Sequence, residues 1–276
     1  GVLTYKCRDR MCQRSLTFTL AVLLLNALGK IEAFVPLQAS SHPRVSRLAM
    51  SADPQGKHKI LFLHGKGENA KTFRARLRRL EDALVEKKGD AVSLEFVTAP
   101  HLIGSDDKYA WWNLPPNQRS FTASEYIGMD ETFKMIEKTW MEKGPFDAVV
   151  GHSQGAILIT VLLSRALLRD FSFKPAKAIL FGAAWPNPFD GELNQLAAMD
   201  LATSSYSPQT LHVYAMNDNI NPPEMAKRIE KLLGPKASPG STSRVTISPW
   251  TTSPSPSSAR SSSTDMDRFQ LPSRVL

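Results

Sequence analysis

"FDAVVGHSQG", Phe146 to Gly155, decides the fold. Its first half is a short apolar run with two valines, the composition of a strand buried on both faces. Its second half places a serine between two glycines at two-residue spacing. The next stretch, "AILITVLLSRALL" (Ala156 to Leu168), is apolar on every side and long enough for a helix, so the chain passes from buried strand to buried helix through Ser153. In that context G-x-S-x-G is the signature of a nucleophile elbow rather than of an ordinary strand-to-helix turn. Only glycine fits on either side of such a serine without clashing with the helix and the neighbouring strand. Ser153 is the candidate nucleophile, and the backbone N–H of Gln154, first in the helix, is a candidate oxyanion donor. His152 adjoins Ser153 in sequence, is expected to point elsewhere, and is not the expected base.

The same alternation extends in both directions. "KILFLHG" (Lys59 to Gly65), "VSLEFVTAP" (Val92 to Pro100), "AKAILFGA" (Ala176 to Ala183) and "TLHVYAMND" (Thr210 to Asp218) read as strands. Between them, Asn69 to Lys88 spaces Phe73, Leu77, Leu80 and Leu84 at helical intervals behind a capping asparagine. Ser124 to Lys143 and Pro222 to Leu233 are further helices, the second with proline in its first turn. Strands alternating with helices imply an α/β fold: a mostly parallel sheet with helices on both faces. No internal repeat is visible.

Function in such a sheet collects where strands end. "LHGKGEN" (Leu63 to Asn69) closes the first strand with His-Gly and a second glycine, which lets the Lys66 amide serve as a second oxyanion donor. His64 is expected to bond loop backbone. "AMNDN" (Ala215 to Asn219) closes a later strand with Asp218, in the chain order nucleophile then acid. A solvated turn or a helix cap is the other reading of that aspartate.

These residues together resemble the FSH family of eukaryotic serine hydrolases, small α/β-hydrolases. The resemblance covers about Lys57 to Pro235 and rests on "LFLHGKGENA", "TAPH", "WWNL", "FDAVVGHSQGA", "AILFGAAWP" and "LHVYAMNDNINPPEMA". It implies an α/β-hydrolase fold that cleaves small-molecule carboxylic esters or acyl thioesters, with no metal and no cofactor. Trp111 and Trp112 either wall an acyl pocket or are ordinary core or surface aromatics, and Phe189 is a further pocket candidate. The sequence carries no signal for an oligomeric state, and nothing suggests the peptide-binding insertion of a peptidase.

Three departures from the family pattern stand out. Ala215 occupies a position where glycine is usual, and Thr98 one where aspartate is common. The third bears on mechanism. All six histidines (His42, His58, His64, His101, His152 and His212) precede Asp218, whereas the family carries something like His-Pro-Gly-Gly-His after the acid. No catalytic histidine is therefore assigned, and His101 is the remote substitute. A serine without a base retains only the contribution of the oxyanion hole and binding, about 10³ to 10⁴ over water.

The two ends differ from the middle. The net charge of +8 divides into +4 for residues 1–56, +3 for residues 235–276 and +1 for the stretch between them, so the central domain has no basic excess. With no zinc-knuckle spacing and no basic run interleaved with aromatics, nucleic-acid binding is excluded. Both cysteines, Cys7 and Cys12, lie near the start, which leaves the domain without a thiolate nucleophile or disulfide framework. Lys6, Arg8, Arg10 and Arg14 precede the apolar run Leu16 to Leu28, a signal-peptide pattern too short for the ~20 residues of a membrane span, with a signal anchor as the alternative. Phe34 to Ala52 has serine and arginine but no acid, which is transit-peptide composition, and the "EAFVP" junction resembles bipartite plastid presequences. Residues 1–56 are thus expected to be a removed presequence directing the protein to a plastid, or alternatively to secretion, with no stable membrane span after processing. Residues 57–234 form the expected hydrolase domain.

Residues 235–276 are rich in Ser, Thr and Pro and break the alternation, so a disordered tail is expected, with the last strand and helix of the sheet missing or altered. A frameshift offers one explanation. With serines read as TCN, "SPWTTSP" (Ser248 to Pro254) shifted by one nucleotide becomes CNC CNT GGA CNA CNT CNC. The Trp-Thr pair forces glycine in the third place, and the others permit His-Pro-Gly-x-His. A frameshift or mis-splicing between about Gly234 and Ser248 and a genuine pseudoenzyme both remain open.

Overall fold

Along the central strands, successive side chains enter two different cores. The computed structural model describes residues 2–7, 56–104, 106–169, 171–201, 204–234 and 243–249. The signal and transit expectations for residues 8–55, and the tail from Trp250 onward, lie outside them.

The strands are β1 (Val2–Cys7), β2 (His58–Leu63), β3 (Val92–Val97), β4 (His101–Leu102), β5 (Tyr109–Ala110), β6 (Ala148–His152), β7 (Lys177–Phe181), β8 (Gln209–Ala215) and β9 (Ser243–Pro249). The helices are α1 (Ala70–Arg76), α2 (Arg78–Lys88), α3 (Met129–Lys143), α4 (Gln154–Leu168), α5 (Asp190–Ala198) and α6 (Pro223–Leu233). Seven strands form one sheet in the order β1-β9-β8-β7-β6-β2-β3, every pair parallel. The other two form a small antiparallel hairpin, β4-β5. This is the mostly parallel sheet with helices on both faces expected from the alternation, and the α/β-hydrolase arrangement that the resemblance implies.

Ile60 and Phe62 of β2, Val150 of β6 and Phe181 of β7 face Phe73, Leu77, Leu80 and Leu84 of the α1–α2 segment. Their neighbours Leu61, Leu63, Val149 and Leu180 face the opposite core, which α3, α4, α5 and α6 enclose. Two-residue periodicity on strands covered on both sides explains why these strands read as unbroken apolar runs. Helix α4 is buried almost throughout, and its Thr160 and Ser164 hydroxyls donate to the carbonyls of Ala156 (3.0 Å) and Thr160 (2.8 Å), so neither polar group is left unbonded. Among the described residues no helix is long and apolar enough to cross a membrane.

Three expectations need correction. The Asn69–Lys88 helix is two helices, broken at Leu77, where φ −94° and ψ 11° depart from helical values. The helix expected from Ser124 begins at Met129, because the preceding segment is tied down elsewhere: Ile127 pairs with Asn113, and Gly128 takes φ 84°. The sheet's last strand is not missing. β9 pairs with β8 from Leu211 opposite Ser243 to Ala215 opposite Ile247, inside the stretch read as a tail. Val245, Thr246 and Ile247 are β-branched and favour extended backbone, a local signal masked by the surrounding Ser/Pro composition. β1, at the start of the stretch read as presequence, pairs with β9.

Candidate active site

Ser153 joins β6 to α4 with φ 50° and ψ −114°, a left-handed backbone region that a side chain occupies only when its surroundings enforce it. Two bonds hold it: Ser153 N–H donates to Phe181 O at 2.8 Å, and Ile157 N–H donates to Ser153 O at 3.0 Å. The flanking glycines are demanded by close approach. A Cβ on Gly151 would lie 2.6 Å from the Ala156 nitrogen, and one on Gly155 would run into the Leu63 carbonyl group. Helix α4 therefore starts directly against the end of β2, beside the loop that carries Lys66.

In that loop, four of the five N–H groups from Gly65 to Asn69 have acceptors. Gly65 N–H donates to Glu68 Oε2 (3.0 Å), Gly67 N–H to Tyr109 O (2.8 Å), Glu68 N–H to Gly65 O (3.2 Å) and Asn69 N–H to Thr72 Oγ1 (3.0 Å). Lys66 N–H has none among the described residues. Gln154 N–H, first in α4, likewise lacks a helical acceptor by construction. Neither of the two N–H groups expected as oxyanion donors has an acceptor among the described residues.

The tryptophans do something other than wall an open pocket. Trp111 and Trp112 are fully buried, and the pocket expectation is corrected to the core alternative. Trp111 Nε1–H donates to His64 O at 2.8 Å, Trp111 N–H donates to the Gln154 side-chain oxygen at 3.1 Å, and the Gln154 amide donates to Trp112 O at 3.1 Å. Thr132 Oγ1 bonds Trp111 O from α3. The tryptophan segment is therefore a strap that ties the loop after β2 to the start of α4, and the Gln154 side chain is its clasp. Trp112 stacks on Tyr126 with centroids 4.3 Å apart, and half-buried Phe189 stands at the rim of the same cluster, 5.8 Å from Tyr126.

His64 bonds backbone, as expected. Ala99 N–H donates to its Nε2 at 3.0 Å, which fixes the ring hydrogen on Nδ1, and that hydrogen goes to Gly65 O at 2.7 Å. Burial pushes its pKa below the ordinary histidine value. His152 points away from the nucleophile: its ring lies against Phe73, and its Nδ1 faces Glu68 Oε2 at 3.5 Å. Burial alone would raise the Glu68 carboxyl, but His152, Arg76 and the Gly65 N–H together hold it below the ordinary value. An ionised Glu68 thus anchors the loop that presents Lys66.

Asp218 stands in the loop after β8. Its Oδ1 accepts the N–H groups of Ile220 (2.8 Å) and Asn221 (2.9 Å), which orders the turn leading into α6. A Cβ on Gly182 would lie 3.7 Å from its other oxygen, so Asp218 sits over the end of β7 beside the strand that carries Ser153. No histidine occupies the base position among the described residues. His101 is spent on Gly128 O at 2.7 Å, His212 is buried on β8 against Thr210, and His58 begins β2, at the end of the strand opposite to the one that leads into the Lys66 loop. These placements remove His101 as a substitute base. The side chain that does reach Ser153 was not anticipated: Asn221 Nδ2 lies 3.3 Å from Oγ. Its only signal in the sequence is its place three residues after Asp218.

Residues 50–237 match the family model described as Serine hydrolase (FSH1). Among curated proteins, the chain is 27% identical over 211 residues to Esterase CG5412 of Drosophila melanogaster, an alignment covering 72% of this chain and 71% of that one. It is 26% identical over 208 residues to Esterase OVCA2 of Danio rerio, covering 64% and 83% respectively. Among solved structures, acyl-protein thioesterase 2 of Zea mays aligns over 73% of this chain and 90% of its own, with 17% identity and a TM-score of 0.47.

Proposed function

The chain belongs to the serine hydrolase (FSH1) family, and from that membership we propose that it cleaves a small-molecule carboxylic ester or acyl thioester through an acyl-serine intermediate. Ser153 Oγ bonds to the acyl carbon, and the carbonyl oxygen takes the negative charge between Lys66 N–H and Gln154 N–H. The bond to the leaving alcohol or thiol breaks with uptake of a proton. Water then splits the acyl-serine, releasing the acid and restoring the hydroxyl. The observation that carries this reading is the strained Ser153 backbone beside two N–H groups that have no acceptor among the described residues.

The test is labelling with a fluorophosphonate probe. Labelling of the chain that disappears in Ser153→Ala supports the hydrolase. A chain that does not label supports the second reading, a catalytically inactive acyl-binding homologue, which is favoured by the amide rather than imidazole at Ser153 Oγ.

The frame reading gains support from topology. β9 runs parallel to β8 and ends two residues past the partner of Ala215, so Ser248 and Pro249, where the shifted frame begins His-Pro, lie at the end of the sheet where Asp218 follows β8. A His-Pro-Gly-x-His run there would deliver the base to the acid. Transcript sequence across Gly234 to Ser248 tests it: an unbroken frame encoding "SPWTTSP" refutes the shift, and a frame-restored chain should label at neutral pH. The presequence reading, with a plastid destination, is tested by fusing residues 1–56 to a fluorescent reporter; a secreted reporter would overturn it.

A further inference from the structure

Asn221 is 7% exposed, and its side chain joins the acid loop to the nucleophile. Nδ2 donates to Gly182 O at 2.8 Å and lies 3.3 Å from Ser153 Oγ. The amide cannot be turned the other way, because a carbonyl oxygen only accepts, so the NH₂ must face Gly182. The second hydrogen of that same nitrogen is the one available to Ser153. The residue is also held by its backbone, which donates to Asp218 Oδ1 at 2.9 Å, and by Pro222 and Pro223, which lead into α6.

The geometry points to Asn221 as a further catalytic residue, one that donates a hydrogen bond to the nucleophile's oxygen and stabilises the alkoxide formed when Ser153 loses its proton. The inference rests on the proposed Ser153 chemistry. Two consequences follow from what an amide can do. Its NH₂ has no lone pair to accept a proton, so Asn221 is no base, and the Ser153 hydrogen points away from it. A hydrogen bond to an ionised oxygen is about twice as strong as one to a neutral oxygen, so the donor favours the alkoxide over the hydroxyl. With Asn221 the side chain that meets Ser153 Oγ and no imidazole there among the described residues, deprotonation of Ser153 falls to hydroxide. Its reaction with an electrophilic probe should therefore rise tenfold per pH unit from pH 7 to 10, without the plateau that an imidazole would impose.

The experiment uses the full chain, its S153A variant and its N221L variant, in which a side chain of similar size replaces both donors. The first readout is the Asn221 side-chain amide in a ¹⁵N-resolved NMR spectrum of the parent and of S153A, which needs no activity. The second is the fluorophosphonate labelling rate of the parent and of N221L across pH 7 to 10. The inference expects the amide proton to move upfield when Oγ is removed, and labelling of N221L to fall about tenfold at each pH with the slope unchanged. An amide signal unmoved by S153A overturns the contact while leaving the Ser153 reading intact, and it decides the matter even if N221L fails to fold. Equal labelling of N221L and parent overturns the donor role. A parent that never labels, with the amide shift present, overturns the Ser153 reading and the catalytic role together.

Discussion

Replacing Gln154 by leucine separates the strap from the elbow without creating a large void. The Gln154 side chain is 4% exposed and forms two bonds of 3.1 Å, accepting from Trp111 N–H and donating to Trp112 O, in a region where both tryptophans are fully buried. Leucine fills nearly the same volume and bonds neither group. A buried backbone group left without a partner costs about 1–3 kcal/mol. Burying an apolar side chain in place of an amide returns roughly 1 kcal/mol. Gln154→Leu should therefore lower unfolding stability by about 1–5 kcal/mol, set against the roughly 5–15 kcal/mol typical of a domain. At about 2–4 °C per kcal/mol for a domain of this size, the melting midpoint falls by about 2–20 °C. Urea unfolding followed by tryptophan fluorescence measures the change. Gln154→Glu supplies an internal check. The introduced carboxyl still accepts from Trp111 N–H, but its second oxygen meets the Trp112 carbonyl unless it is protonated. Burial and that carbonyl raise its pKa in the folded state above the unfolded value of about 4.3, so its stability is fullest below that pH and is lost as pH rises. Gln154→Glu should thus lie closer to the parent at pH 5 than at pH 7. A Gln154→Leu stability within about 0.5 kcal/mol of the parent, the ordinary range of a neutral substitution, would refute the clasp.

Two further perturbations test other parts of the same construction. Gly155→Ala places a methyl group against the Leu63 carbonyl, where only backbone movement relieves the overlap; a loss of more than about 3 kcal/mol or failure to accumulate as soluble protein is expected, and near-parent stability in urea would contradict the close approach. Tyr126 is buried and Tyr206 half-buried, their hydroxyls donating to Ser120 O and Pro175 O at 2.8 Å, and desolvation drives both pKa values upward. Above about pH 10 the unfolded chain loses these protons and the folded one keeps them, so stability should be full below that pH and fall above it, by about 1.4 kcal/mol per unit for each tyrosine. Urea titrations from pH 9 to 11 should show a shallower fall in Tyr126→Phe, and an unchanged slope would count against the burial.

The legible part of the site was the part written in contiguous residues. Gly151, Ser153 and Gly155 lie within one strand-to-helix joint, and the loop holding Lys66 follows directly from the end of β2, so local pattern sufficed to place the candidate nucleophile and the two candidate oxyanion donors side by side. Asp218 was legible for the same reason, at the end of an apolar run. The alternation of strand and helix determined the sheet because continuous apolar strands have no stable home except between two covered faces.

What tertiary structure decided depends on partners distant in the chain. Trp111 and Trp112 look alike as pocket wall or core until Gln154, more than 40 residues later, is seen to clasp the backbone of both. Asn221 is one of three asparagines in "NDNIN" until β6 and β8 are placed on either side of β7, which brings it to Ser153. The strand Ser243–Pro249 is hidden by its composition and emerges only because β8 offers an unpaired edge of N–H and C=O groups to fill. Local sequence states which chemistry the chain is able to assemble, since backbone sterics act between neighbours. Which side chain meets which oxygen follows from packing across the sheet, where the distance along the chain no longer counts.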